Sequence, residues 1–150
     1  MIQIRSMKKN DVPEILAQMR IFYDSPAISY PVNDQILKQT LRDCTEGCPY
    51  VEGLVFQDTE TFTLAGYAIL ATGYSTEYGG VCIWVEDLYL QPAYRHQGIG
   101  TQFFTYLTER YQGKAVRLRL EVEPHNEHAI ALYQKAGFEE VPYTEFAKEL

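Results

Sequence analysis

The sequence lacks any apolar run approaching the ~20 residues that a membrane-spanning helix requires, so no membrane partner is expected. It also lacks a cluster of basic residues. Thirteen lysines and arginines stand against twenty acidic residues, for a net charge of −7. Nucleic-acid binders carry a basic face, so no nucleic-acid partner is expected. An acidic surface instead steers cationic partners such as amines, or does no more than keep the protein soluble. Cysteine is scarce and odd in number (Cys44, Cys48 and Cys82), which argues against a disulfide framework. Cys44 and Cys48 stand four apart, with only His125 and His128 available as a second pair of zinc ligands. Reduced thiols without a metal are the favoured reading. Internal repeats and low-complexity stretches are absent too. The opening MIQIRSMKKND has no continuous apolar core and no small-residue cleavage site. No secretory leader is expected from it, and a cytoplasmic location is the default.

What remains is an ordinary globular composition, 46% hydrophobic and 22% charged, which predicts one domain over residues 1–150. Residues 2–5 alternate as a short strand. Asn10 or Asp11 is placed to cap a helix with Pro13 in its first turn. Val12, Ile15, Leu16, Met19, Phe22 and Tyr23 form its apolar stripe. The proline-bearing stretch Asp24–Val32 breaks that helix, and a second is predicted from Asp34 to Cys44. A β meander follows: Tyr50–Phe56, Phe62–Thr72 and Val81–Leu90, with Gly73–Gly80 as a hairpin loop. A helix over Gly98–Tyr111 ends at Gly113, and Val116–Val122 alternates as a strand. Asn126 is placed to cap a helix over Glu127–Ala136, with Gly137 at its exit. Phe138–Val141 and Tyr143–Ala147 are candidate closing strands. The helix between Leu90 and Val116 makes a crossover, which predicts parallel, adjacent strands on either side of it. The expected fold is α/β (α+β): a mixed, mostly antiparallel central sheet with helices on both faces.

The segment Arg95-His96-Gln97-Gly98-Ile99-Gly100 joins a strand to a helix start. A helix start leaves amide N–H groups without acceptors, and its dipole favours negative charge there. Gly98 and Gly100 have no side chains to keep a ligand away, and Arg95 adds a fixed positive charge. Together these predict a diphosphate cradle; glycines that serve only tight helix packing are the competing reading. A dinucleotide fingerprint would need glycine where Phe103 stands, and a P-loop would need a lysine before Thr101.

Arg-x-x-Gly-x-Gly after a strand resembles the coenzyme A signature of the GNAT N-acetyltransferases, and WVEDLYLQPAYRHQGIGTQFF resembles that family's strand–loop–helix unit. NEHAIALYQKAGF resembles its second signature, Asn-x-x-Ala-x-x-Leu-Tyr-x-x-x-Gly-Phe, at every fixed position. The resemblance implies acetyl-CoA as cosubstrate. Its contacts would be Leu88, Tyr89 and Leu90 on the strand, Arg95, His96, Gln97, Gly98, Ile99, Gly100 and Thr101 in the cradle, and Asn126 and Tyr133 beyond. It implies two strands that splay near Leu88–Leu90 and just before Asn126, with the pantetheine arm lying between them.

The resemblance also implies that Tyr133 protonates the departing thiolate. The competing reading makes Tyr133 a core aromatic beside Ala129 and Ala136. The run EDLYL resembles diamine acetyltransferases, in which the matching glutamate acts on the amine through water, so Glu86 is the candidate base. An ion pair with Arg117 or Arg119 on the neighbouring strand, or a solvated edge, is its alternative. Tyr30 and Tyr74, with Tyr78, Asp24 and Glu77 nearby, suit a cationic amine, or are surface aromatics. A small-molecule amine is the expected acceptor. A protein N-terminus or lysine is the variant, and an acyl-CoA sensor without turnover is the rival function. Dimers are frequent in this family, and a strand-bearing C-terminal end would suit a homodimer.

Overall fold

The computed structural model describes residues 1–150. Its strands are β1 (Ile2–Ser6), β2 (Val51–Asp58), β3 (Leu64–Ser75), β4 (Gly80–Leu90) and β5 (Arg117–Leu120). Its helices are α1 (Val12–Tyr23), α2 (Asp34–Thr45), α3 (Ile99–Tyr111) and α4 (Glu127–Lys135). The strands form one five-stranded sheet in sequence order. The first three pairings are antiparallel, and β4 with β5 is parallel, as the crossover through α3 requires.

Two apolar clusters flank the sheet. Under α3 lie Leu54, Phe56, Ile83, Val85, Phe103 and Leu107, with Leu132 and Tyr133 of α4 packed against them. Under α1 and α2 lie Ile15, Met19, Leu37, Leu41, Tyr67 and Tyr89. Helices therefore cover both faces, in agreement with the 3.6-residue stripes. No helix is long and apolar enough to cross a membrane.

Three expectations need correction. First, a single 3-10 turn over Lys9–Asp11 precedes α1, and Asp11 does not cap the helix with its side chain. It accepts two bonds from Arg5, at 2.8 and 2.9 Å, and one from the Lys8 amide at 2.7 Å. Second, β3 runs on to Ser75, so the predicted hairpin loop shrinks and Tyr74 stands on a strand. Third, neither Phe138–Val141 nor Tyr143–Ala147 forms a strand. Phe138 instead turns inward onto the rings of Phe104 and Tyr133. Pro142 removes a ladder donor, and the segment carries Glu139, Glu140, Glu145, Lys148 and Glu149, which leave it no continuous apolar face. Its Tyr143 hydroxyl donates to Glu77 Oε2 at 3.1 Å.

The Asp11–Arg5 pair predicts an acid-labile contribution to stability. The Arg5 hydrogen bonds, foremost, hold the Asp11 carboxyl below the usual carboxylate range against its burial. A depressed folded pKa gives stability that is fully present above the unfolded value of about 3.9 and is lost as pH falls through the folded value. Asp11→Ala should therefore cost about 1–3 kcal/mol at neutral pH. In urea melts repeated down to pH 2, that cost should shrink.

Candidate active site

The parallel ladder between β4 and β5 runs from Cys82–Arg117 to Val85–Leu120 and stops there. Beyond Val85, β4 continues to Leu90 against β3 alone, while the chain after Leu120 leaves the sheet for the Asn126 cap. The two strands thus part at Glu86, slightly earlier than Leu88. Residues 86–90 have no neighbouring strand on that side.

A bulge sits at the same place. Ile69 pairs with Asp87 but Leu70 with Val85, so Glu86 is the extra residue. The alternation slips with it. Ile83 and Val85 face the α3 cluster, Leu88 and Leu90 face it again, and Tyr89 faces the α1–α2 cluster. Glu86, out of phase with Val85, and Asp87, in phase with Tyr89, therefore both fall on the α1–α2 side. In a regular strand consecutive residues would point to opposite faces.

After Leu90 the chain makes a 3-10 turn over Pro92–Tyr94 and enters the cradle. His96 (φ +60°) and Gly98 (φ +80°) are left-handed. Turns of this kind gather amide N–H groups into an anion-binding concavity. The first bond to reach back into the helix comes from Gln102 N–H to Gly98 O, at 3.0 Å, and the amides of residues 96–101 have no acceptor within the chain. A Cβ on Gly98 would meet nothing within 4 Å, so the space beside these amides is open. A diphosphate fits there on chemical grounds. Arg95 is held beside the cradle by its Nε bond to Leu90 O at 2.9 Å and by the Tyr89 ring, 5.7 Å from its guanidinium carbon. Gly100 meets the packing expectation: it is buried, and a Cβ there would lie 2.7 Å from Leu132 Cδ2, so its missing side chain admits α4. His96 packs edge-on against His128, with ring centroids 5.8 Å apart.

Asn126 caps α4 as expected, its side chain accepting from the Ala129 amide at 3.2 Å. That helix carries Tyr133, whose ring stands edge-on to Phe104 at 5.6 Å. The ring is core packing, but its hydroxyl has no hydrogen-bond partner. It is not walled off either, since the one fully buried unpaired side-chain atom is Gln18 Oε1. Burial raises the Tyr133 pKa, which keeps the phenol in its proton-donating form.

Glu86 makes no ion pair. Arg119 stacks on Trp84 at 4.4 Å, and Arg117 stacks on Tyr78 at 4.8 Å while reaching Glu77 at 3.9 Å. The alternative of a structural pair to either arginine is thereby removed. Glu86 is exposed where the strands part, and partial desolvation, then the neighbouring Glu145, raise its pKa. Tyr30 and Tyr74 are 80% and 70% exposed, so neither is committed to the core. The loop bearing Tyr30 reaches the far side of the opening, where the Ser29 hydroxyl bonds Glu123.

Sequence reasoning overlooked Asp87 as a centre. Its carboxylate is 3% exposed and accepts from Tyr23 at 2.7 Å and Tyr67 at 3.0 Å. Two successive carboxylates in an apolar strand were the available signal.

Gly66 fixes this part of β4. A Cβ on it would lie 2.1 Å from the Tyr89 carbonyl oxygen. Gly66→Ala must push the Tyr89–Leu90 backbone away and should cost about 1–3 kcal/mol, the usual penalty of overpacking. Urea denaturation would measure it.

A family model, the acetyltransferase (GNAT) family, matches residues 15–138. The thialysine N-epsilon-acetyltransferase of Bos taurus is 30% identical over 152 residues, spanning 96% of this chain and 88% of that protein. A possible acetyltransferase from Clostridium difficile 630 superposes with a TM-score of 0.83 at 19% identity, over 100% of this chain and 98% of that one. AAC(6')-Iy, in complex with the bisubstrate analogue CoA-S-monomethyl-acetylneamine, gives 0.80 at 14% identity, over 100% and 99%. At such identities the two structural matches speak to the fold. The family match, however, runs through the cradle and the Asn126 helix alike, and the chain belongs to the acetyltransferase (GNAT) family.

Proposed function

We propose that this protein transfers the acetyl group of acetyl-CoA to a primary amine of a small molecule, by direct attack within a ternary complex. The observation that carries this reading is the row of acceptor-less amides at residues 96–101, opening beside strands that part at Glu86. The diphosphate would sit on those amides with Arg95 beside it. The pantetheine arm would lie along residues 86–90 as an added strand.

The amine nitrogen attacks the thioester carbonyl carbon. An amide of β4 near Leu88 stabilises the oxyanion that forms. As the tetrahedral intermediate collapses, the carbon–sulfur bond breaks and Tyr133 donates its phenolic proton to the leaving thiolate. Glu86 accepts the proton released by the amine, through water. Its raised pKa narrows the gap to an ammonium, which an ordinary carboxylate near 4.3 bridges poorly.

The named activity of the bovine relative, on thialysine, and the amine-derived analogue bound to AAC(6')-Iy both support an amine acceptor. The unpaired Glu86 and exposed Tyr30 and Tyr74 favour a cationic one. Release of free thiol from acetyl-CoA, measured with a panel of thialysine, lysine, diamines and aminoglycosides, tests the reading. Turnover with at least one of these amines is expected. Tight binding of acetyl-CoA without thiol release for any amine would replace the enzyme with a sensor.

A further inference from the structure

The cluster centred on Asp87 is not used by the chemistry above, yet it joins the sheet to the loop that borders the opening. Tyr23 is the last residue of α1, immediately before the Asp24–Asn33 connection. Its hydroxyl donates to Asp87 Oδ1 at 2.7 Å, while the Tyr67 hydroxyl donates to Oδ2 at 3.0 Å. Tyr67 is fully buried and Tyr23 only half-buried. Each phenol has one proton to give, and both are given to the same carboxylate. What the Tyr23 oxygen has left is acceptor capacity alone, made more negative by the carboxylate behind it. The bulge at Glu86 sets that group on the same sheet side as the candidate base.

We propose that Tyr23 is a specificity-determining residue of the acceptor cleft: Asp87, braced by Tyr67, holds the Tyr23 proton inward, so that the Tyr23 oxygen receives an N–H of a cationic amine. The inference rests on the reading of this cleft as the place where the amine binds. Tyr23 touches the acceptor, whereas Asp87 and Tyr67 are positioning residues. An ammonium is an obligate donor and fits an oxygen that can only accept.

The arrangement reverses in acid. Burial, above all, lifts the Asp87 carboxyl to about 6, with the two tyrosine hydrogen bonds pulling it down and Glu86 pushing it up. The titratable groups facing it are Tyr23 from α1, Cys44 from α2, Tyr67 from β3, and Glu86 and Tyr89 of its own strand. Below that pH the protonated carboxyl must donate, one phenol is released from it, and a hydroxyl turned outward would offer the ammonium a proton instead of a lone pair.

The test is steady-state kinetics on the full chain with the best amine from the panel and saturating acetyl-CoA. Tyr23→Phe should raise KM for the amine about tenfold or more, with a smaller change in kcat and acetyl-CoA affinity within twofold. Tyr67→Phe should raise that KM less, because Asp87 still holds Tyr23. A merely structural cluster gives the reverse order, since Tyr67 is the more deeply buried ring. In the wild type, KM for the amine should rise below pH 6, and in Asp87→Asn that rise should be smaller, with only the part owed to Glu86 remaining. An unchanged amine KM in folded Tyr23→Phe overturns the inference while leaving the enzyme reading intact. Absence of wild-type turnover with every amine overturns the enzyme reading and this inference with it.

Discussion

Replacing Tyr133 by phenylalanine should lower kcat by about two orders of magnitude while acetyl-CoA binds as before. General-acid catalysis by a positioned side chain contributes roughly 10²- to 10⁴-fold, and the lower figure suits a phenol, whose loss still leaves water as a poor donor. Binding should hardly change because the ring is fixed by Phe104 and Phe138, both of which phenylalanine keeps in contact. Stability should hold for a related reason: the hydroxyl gives up no protein hydrogen bond when it is removed. Burst and single-turnover measurements would place the loss on the chemical step. A Tyr133→Phe enzyme with wild-type kcat would take the acid role away from this residue.

Gly98→Val should act in the opposite way, abolishing acetyl-CoA affinity before any chemistry. Gly98 holds φ at +80°. A left-handed conformation costs an L-residue about 1–2 kcal/mol, and a β-branched one more. The larger effect is on the ligand. The side chain would project into the open space beside the amides of residues 96–101, and losing two charge-assisted bonds at about 1.5–3 kcal/mol each amounts to a hundredfold or greater fall in affinity. Gly100→Ala is the informative contrast. Its Cβ would meet the flexible end of Leu132 rather than the cradle, so stability should drop slightly while binding persists. Calorimetry on both variants separates the two glycines. Equal loss of binding in the two would mean that they share one role after all.

These contrasts mark where the sequence was readable. The strand–helix–strand crossover was legible because β-branched alternation, two glycines and an apolar stripe point the same way over residues 81–122. The Asn126 cap was legible for a similar reason, with one polar side chain, a helical stripe and a closing glycine at the right spacing. The bulge at Glu86 was not legible. Nothing local announces an extra residue in β4, and only pairing with β3 reveals that Asp87 has changed sides. Tyr23 was read as part of an apolar stripe, which is correct for its ring. Its hydroxyl finds Asp87 sixty-four residues away, a partner that helical periodicity cannot name. The closing strands failed in another way. Residues 138–147 have strand-like residues, but Pro142 and repeated charges outweigh them once Phe138 has turned into the core. For Gly100 both readings stood open, because spacing alone does not distinguish a glycine that admits a phosphate from one that admits a helix; the contact with Leu132 accounts for its missing side chain.

The central claim is that the turn from Arg95 to Thr101 grips the diphosphate of a coenzyme A thioester. Titration calorimetry of acetyl-CoA into folded wild-type protein addresses it most directly. One saturable site per chain is predicted, with its heat lost in Gly98→Val and retained in Tyr133→Phe. A folded wild-type protein that gives no heat with acetyl-CoA or CoA would contradict the account.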